Sequence, residues 1–135
     1  MKNITDNVRR YTDMTVLDEA EKKFSVIIRK EIREFLKVNS GGYVLNQYPV
    51  FNGESYEIRV ILSVDKNDES CYIKEPLDYF LGKTNGKIVP IAKNSGGNYY
   101  CINNETGKVY YWSPDEDLYY GIAETLEEFV DVCSE

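Results

Sequence analysis

The sequence contains no histidine. That absence excludes Ser-His-Asp and Cys-His nucleophilic catalysis, His-ligated zinc and imidazole-based pH switching. Cysteine is scarce as well: Cys71, Cys101 and Cys133 are about thirty residues apart, with no CxxC pair. Such spacing is neither a zinc nor a redox motif, and the three are expected to be reduced, small buried hydrophobes. No apolar run approaches the ~20 residues that a membrane helix needs. The opening stretch MKNITDNVRRYTDMT lacks the apolar core of a secretory signal, so the expectation is a cytoplasmic protein with no membrane partner. Basic residues are in short supply after residue 40: residues 41–135 hold seven Lys/Arg against sixteen Asp/Glu, whereas residues 1–40 hold nine against seven. From Asp115 to Glu135 there are eight acids and no base. A surface of that sign repels phosphate, which argues against nucleic acid and in favour of a basic protein partner.

What is present fits one α+β domain spanning residues 1–135, with a core of about 15–133. Val8, Tyr11 and Met14 stand at helical spacing and predict a short docked helix near the N-terminus. Thr15 and Asp18 resemble a capping box for a helix whose apolar face is Leu17, Ala20 and Phe24. A second helix carries Ile28, Ile32, Phe35 and Leu36 on one face and stops at Asn39-Ser40-Gly41-Gly42, where a left-handed cap belongs. Strands are expected over Tyr43–Val50 and Glu57–Val64, the latter with Ile58, Val60, Leu62 and Val64 on one face. Leu77, Phe80 and Leu81 predict a helix opening near Pro76. Pro90 marks the strand from Lys87 to Ala92 as an edge or a bulge. Asn98–Asn103 and Lys108–Trp112 form the clearest hairpin, closed by Asn104-Glu105-Thr106-Gly107. Thr125 and Glu128 cap a last helix whose stripe is Leu126, Phe129, Val130 and Cys133.

Chemistry-bearing motifs are few. The acidic loop Asp65-Lys66-Asn67-Asp68-Glu69 begins like a calcium loop, yet Ser70 and Pro76 stand where the turn glycine and the bidentate glutamate belong. Ser95-Gly96-Gly97-Asn98 precedes a strand and not a helix, so it is a tight turn and no phosphate cradle. Carboxylate pairs for acid–base work lie mostly in turns and on an outer helix face. No catalytic residue, metal or cofactor is implied. The candidate contact surface is Asp115, Glu116, Asp117, Tyr119 and Tyr120, an acidic turn beside aromatic side chains, with Asp65, Asp68 and Glu69 as a second acidic loop. Packing of both tyrosines beneath the last helix is the alternative on spacing alone.

The segments LDEAEKKF, IREFLKVNSGGY, IVPIAKNSGGNYYCINNETGKVYYW and IAETLEEFV, in that order, resemble the SUKH domain family. That family includes the fungal cell-wall-assembly regulators and many bacterial immunity proteins. The likeness spans about residues 15–133 and is most specific from Ile88 to Trp112. Two local departures are Ile28-Arg29 where the family often has Leu-Pro, and Ser40 inserted between Asn39 and Gly41. The resemblance implies a curved, mostly antiparallel sheet flanked by N-terminal helices and a C-terminal helix. It also implies binding without catalysis: a protein that neutralises a cognate polymorphic or contact-dependent toxin, a nuclease being the type an acidic protein suits. A regulatory scaffold for host proteins is the second function it allows, and a small-molecule binder or enzyme using a sheet–helix groove is the third.

Overall fold

Two amphipathic helices, α1 (Thr15–Phe24) and α2 (Lys30–Asn39), come first in the computed structural model, which describes residues 1–135. Leu17 and Ala20 on α1 and Ile32, Phe35 and Leu36 on α2 are buried as expected; Val16 is buried as well, Phe24 is only partly so, and Ile28 is buried just ahead of α2. Arg33 joins the two helices by pairing with Asp18 and Glu21 of α1, each at 2.9 Å. The expected Thr15–Asp18 capping box does not form. Asp13 supplies the acceptor instead, receiving the Thr15 backbone N–H at 3.0 Å and the Thr15 hydroxyl at 2.6 Å, so Thr15 lies inside the first turn.

The predicted helix through Val8, Tyr11 and Met14 is absent, and residues 1–14 run as an extended strap. Tertiary capture decides this. The side chain of buried Asn39 accepts from the Ile4 N–H at 2.8 Å and donates to the Lys2 carbonyl at 3.1 Å. The Asp6 N–H donates to the Tyr43 carbonyl and the Leu45 N–H to the Ile4 carbonyl, each at 3.0 Å, pairing the strap with the 43–45 segment. Val8 is left 93% exposed, whereas Tyr11 is buried.

The expected Tyr43–Val50 strand is reduced to single bridges at Tyr43 and Val44, followed by bends. Regular pairing begins only in a small hairpin, β1 (Val50–Phe51) and β2 (Glu54–Ser55). Its turn is Asn52-Gly53, both at positive φ, the combination that a two-residue hairpin of this hand requires. Glu57–Val64 is likewise mostly irregular, with β3 limited to Val60–Ile61. Its alternation fails because Ile61 and Ser63 are as buried as Ile58 and Leu62.

A 3-10 turn at Glu69–Cys71 leads into α3 (Lys74–Lys83), which starts two residues before Pro76 and keeps that proline in its first turn. Four longer strands follow: β4 (Ile88–Lys93), β5 (Tyr99–Asn103), β6 (Val109–Ser113) and β7 (Leu118–Ala123). With β3 they form one antiparallel sheet in the order β3-β4-β5-β6-β7. Pro90 does not lie on an edge strand, since β4 is paired on both sides; its register shift between Pro90 and Ala92 is the bulge alternative. A second shift at Val109/Tyr110 bends the far end of the sheet. α4 (Leu126–Cys133) closes the chain, with Thr125 Oγ1 accepting from the Glu128 N–H at 3.1 Å. Glu128 reaches back to the Glu124 N–H at 3.2 Å, and Leu126, Phe129, Val130 and Cys133 are all buried.

Strand alternation gives the sheet two different faces. Tyr100, Ile102 and Val109 point into the main core with α1, α2, α4 and Leu77 and Leu81 of α3. Tyr99, Cys101 and Trp112 point the other way and meet Phe80 of α3 in a smaller aromatic cluster. All three cysteines are free and buried.

Candidate functional site

Phe80 is the centre of that second cluster. Its ring lies 4.9 Å from Trp112 and 5.6 Å from Tyr99, both edge-on, which is a favoured aromatic geometry. Beside it opens a groove of about 470 Å³, walled by α3, the 69–72 turn and strands β4 to β6. Tyr72, Tyr79, Tyr99 and Trp112 line it with Glu69, Glu75 and Lys93, and Pro114 stands at its end.

The acidic turn expected at 115–117 adjoins the groove through Pro114 and connects β6 to β7. Asp117 is exposed, but its carboxylate is engaged by side chains of the neighbouring elements. Its Oδ1 accepts the Trp112 indole N–H at 2.9 Å and pairs with the Lys83 ammonium. These donors, Lys83 first and then Trp112, hold its carboxyl below the ordinary range. Asp115 and Glu116 remain exposed. Glu116 accepts the Tyr120 hydroxyl at 2.9 Å, which steadies the turn without neutralising it.

Tyr119 and Tyr120 do not act on one face. They are successive residues of β7, so their side chains project to opposite sides of the sheet. Tyr119 sits opposite Trp112 and packs on Phe80 and Tyr110, with its ring centroid 6.1 Å from Tyr110. Its hydroxyl is buried without a partner, and burial pushes its pKa up to about 12. Tyr120 pairs opposite Tyr111 and is 41% exposed.

The second acidic loop divides in the same way. Asp68 accepts the Ser63 hydroxyl at 2.6 Å and faces Arg9 at 3.5 Å. Asp65 caps the Asn67 N–H at 2.9 Å and also faces Arg9. These two carboxylates brace the loop and the N-terminal strap. Glu69 alone turns to the groove. The structure thus places Glu69 in the lining of the aromatic groove and the turn carrying Asp115 and Glu116 next to its end at Pro114, while Asp65, Asp68 and Asp117 are engaged by partners within the chain. Tyr72, Glu75, Tyr79 and Lys83 belong to this surface but carry no signal in the sequence, because their neighbours come from segments up to some forty residues away.

No three or more Cys, Asp or Glu side chains converge where they could hold a metal ion. A family model, described as the SMI1 / KNR4 family (SUKH-1), matches residues 13–132, nearly the whole chain. The chain belongs to that SUKH-1 family. Among curated proteins, the SUKH-1 chain is similar to the SPbeta prophage-derived uncharacterized protein YokK of Bacillus subtilis (strain 168), 33% identical over 69 residues. That match covers 47% of this chain and 35% of the relative, so the likeness spans about a third of the relative's length. No helix of the SUKH-1 fold here is long and apolar enough to cross a membrane.

Proposed function

We propose that this SUKH-1 chain is an immunity protein, which binds a cognate polymorphic or contact-dependent toxin inside the producing cell and blocks it by contact alone. The observation that carries the reading is an aromatic groove lined by exposed Glu69 and Glu75, with the exposed acids Asp115 and Glu116 on the turn that follows its end residue Pro114, in a family that includes such proteins. Carboxylates on a rim act at long range, and aromatic side chains beside them supply buried contact area once the partner docks. A nuclease toxin presents a basic cleft to nucleic acid, and an acidic surface competes for that cleft with the phosphates. Complementary charge raises association above the ~10⁵–10⁶ M⁻¹ s⁻¹ of uncharged pairs. Rapid capture matters where the toxin attacks the cell's own nucleic acid.

The test is titration of the purified chain against the purified C-terminal domain of a candidate toxin from an adjacent gene. A stoichiometric complex that abolishes toxin activity is expected. Full toxin activity in the presence of excess chain would refute the reading for that pair.

A further inference from the structure

We infer that the groove between α3 and the sheet is a socket for an arginine side chain carried by an extended segment of the partner protein. This deepens the toxin-binding reading and rests on it for the partner's identity, but the chemistry of the socket comes from the groove itself. Its volume, about 470 Å³, falls within the ordinary range of side-chain and small-ligand pockets, roughly 300–1,000 Å³.

The lining selects a cation. Tyr72, Tyr79, Tyr99 and Trp112 present ring surface, and a ring face attracts positive charge through its quadrupole. Two of these rings already hold one cation, from a residue that does not line the groove: Lys83 Nζ lies 5.4 Å from the Tyr79 centroid and 5.8 Å from that of Trp112. Two carboxylates, Glu69 and Glu75, stand exposed on the lining. Neither is paired with any Lys or Arg of the chain, unlike Asp65, Asp68, Asp78 and Asp117. Glu75 lies close enough to Tyr99 that its charge, after burial, helps to raise the phenol's pKa. Lys93 is the one base in the lining, and its ammonium is fastened to the Ser70 carbonyl at 2.6 Å.

An apolar occupant would strip water from the two carboxylates without replacing it. An anion would be repelled by them. Between the two basic side chains, the planar guanidinium of arginine both stacks on a ring and forks onto a carboxylate, whereas an ammonium does only part of each.

The experiment needs no toxin. Trp112 is the sole tryptophan, so its indole Nε1–H gives one unambiguous NMR signal inside the groove wall. The full-length chain is titrated at low salt with the acetylated, amidated peptide Gly-Arg-Gly-Arg-Gly, and in parallel with its lysine and glutamate counterparts. The arginine peptide is expected to move the indole signal saturably, to bind about fivefold tighter than the lysine peptide, and to leave the glutamate peptide without effect. Glu75→Gln, at an exposed position, should weaken binding about fivefold or more with the melting temperature unchanged, and Tyr79→Ala should weaken it by at least as much. Asp131→Asn, an exposed acid on α4 away from the groove, controls for net charge and should bind like the parent. An unmoved indole signal, equal binding of the arginine and lysine peptides, full binding by Glu75→Gln, or an equal loss in Asp131→Asn would each overturn the socket. A chain that blocks its toxin yet ignores the arginine peptide loses the socket only. A chain that binds the peptide yet fails to block the toxin loses the immunity reading only.

Discussion

The Trp112 indole N–H donates to Asp117 Oδ1 at 2.9 Å, tying the β6–β7 turn back onto the strand that precedes it. Lys83 reaches the same oxygen from α3, so one carboxylate joins turn, strand and helix at the end of the groove. Asp115 and Glu116 are then the two acids of the turn without a basic partner in the chain.

A pH dependence follows from that junction. The Asp117 carboxyl is held low by Lys83 and then by Trp112. A carboxyl with a depressed folded pKa stabilises the fold above its unfolded value, near pH ~3.9, and loses that contribution as pH falls through the lower folded value. Trp112 fluorescence should therefore be flat from neutral pH to about pH 5 and change only below about pH 4. Asp117→Asn keeps a side chain that tolerates the positive φ of this position, φ 54, and should remove that step. A step centred above about pH 5 in the parent chain would contradict the junction.

Core packing of α4 gives a stability prediction. Phe129 is fully buried and stacks on Phe51 with centroids 5.5 Å apart. Phe129→Ala should cost about 3–5 kcal/mol in urea unfolding, through lost burial and the cavity left behind. A loss below about 1 kcal/mol would mean that α4 is not packed in this register.

Two glycines at similar backbone angles should respond differently to alanine. Gly41 has φ 71, and an added Cβ would lie 2.6 Å from Asp68 Oδ2; Gly53 has φ 82 with nothing within 4 Å. Gly53→Ala should lower stability by about 1–2 kcal/mol, the backbone cost alone. Gly41→Ala should cost more, because Asp68 must also leave its bond to Ser63. Equal losses in denaturant melts would remove the steric role given to Asp68.

Charge on the open side of the turn should control the speed of capture. Asp115→Lys with Glu116→Lys should slow association with the toxin markedly at low salt and by less near 1 M salt, where the screening length is about 3 Å. An unchanged low-salt rate in stopped-flow measurements would reduce this turn to a solvated surface.

Much of the fold was legible because its signals are local. In α4 the capping pair Thr125/Glu128 and the buried stripe lie within nine residues. The β5–β6 hairpin announces itself through Gly107, which takes positive φ, φ 84. Strand β7 escapes such a reading because Asp117, and not a glycine, occupies the left-handed position of its turn. The Val8/Tyr11/Met14 spacing misleads because the Asn39 side chain, over thirty residues away, holds the strap extended. For the site, composition shows an acidic and aromatic C-terminal half, but only the fold separates Glu69 from Asp65 and Asp68, and Tyr119 from Tyr120. That sorting depends on strand faces and on partners such as Arg9 and Lys83, which no spacing along the chain connects.

The immunity reading meets its most direct test in cells. The C-terminal domain of a candidate toxin, taken from a gene adjacent to this one, is expressed from an inducible promoter, with and without this chain, and survival is counted. Killing by the domain alone and survival when the chain is present are expected. Killing at the same rate in both, with the chain soluble and abundant, would contradict it.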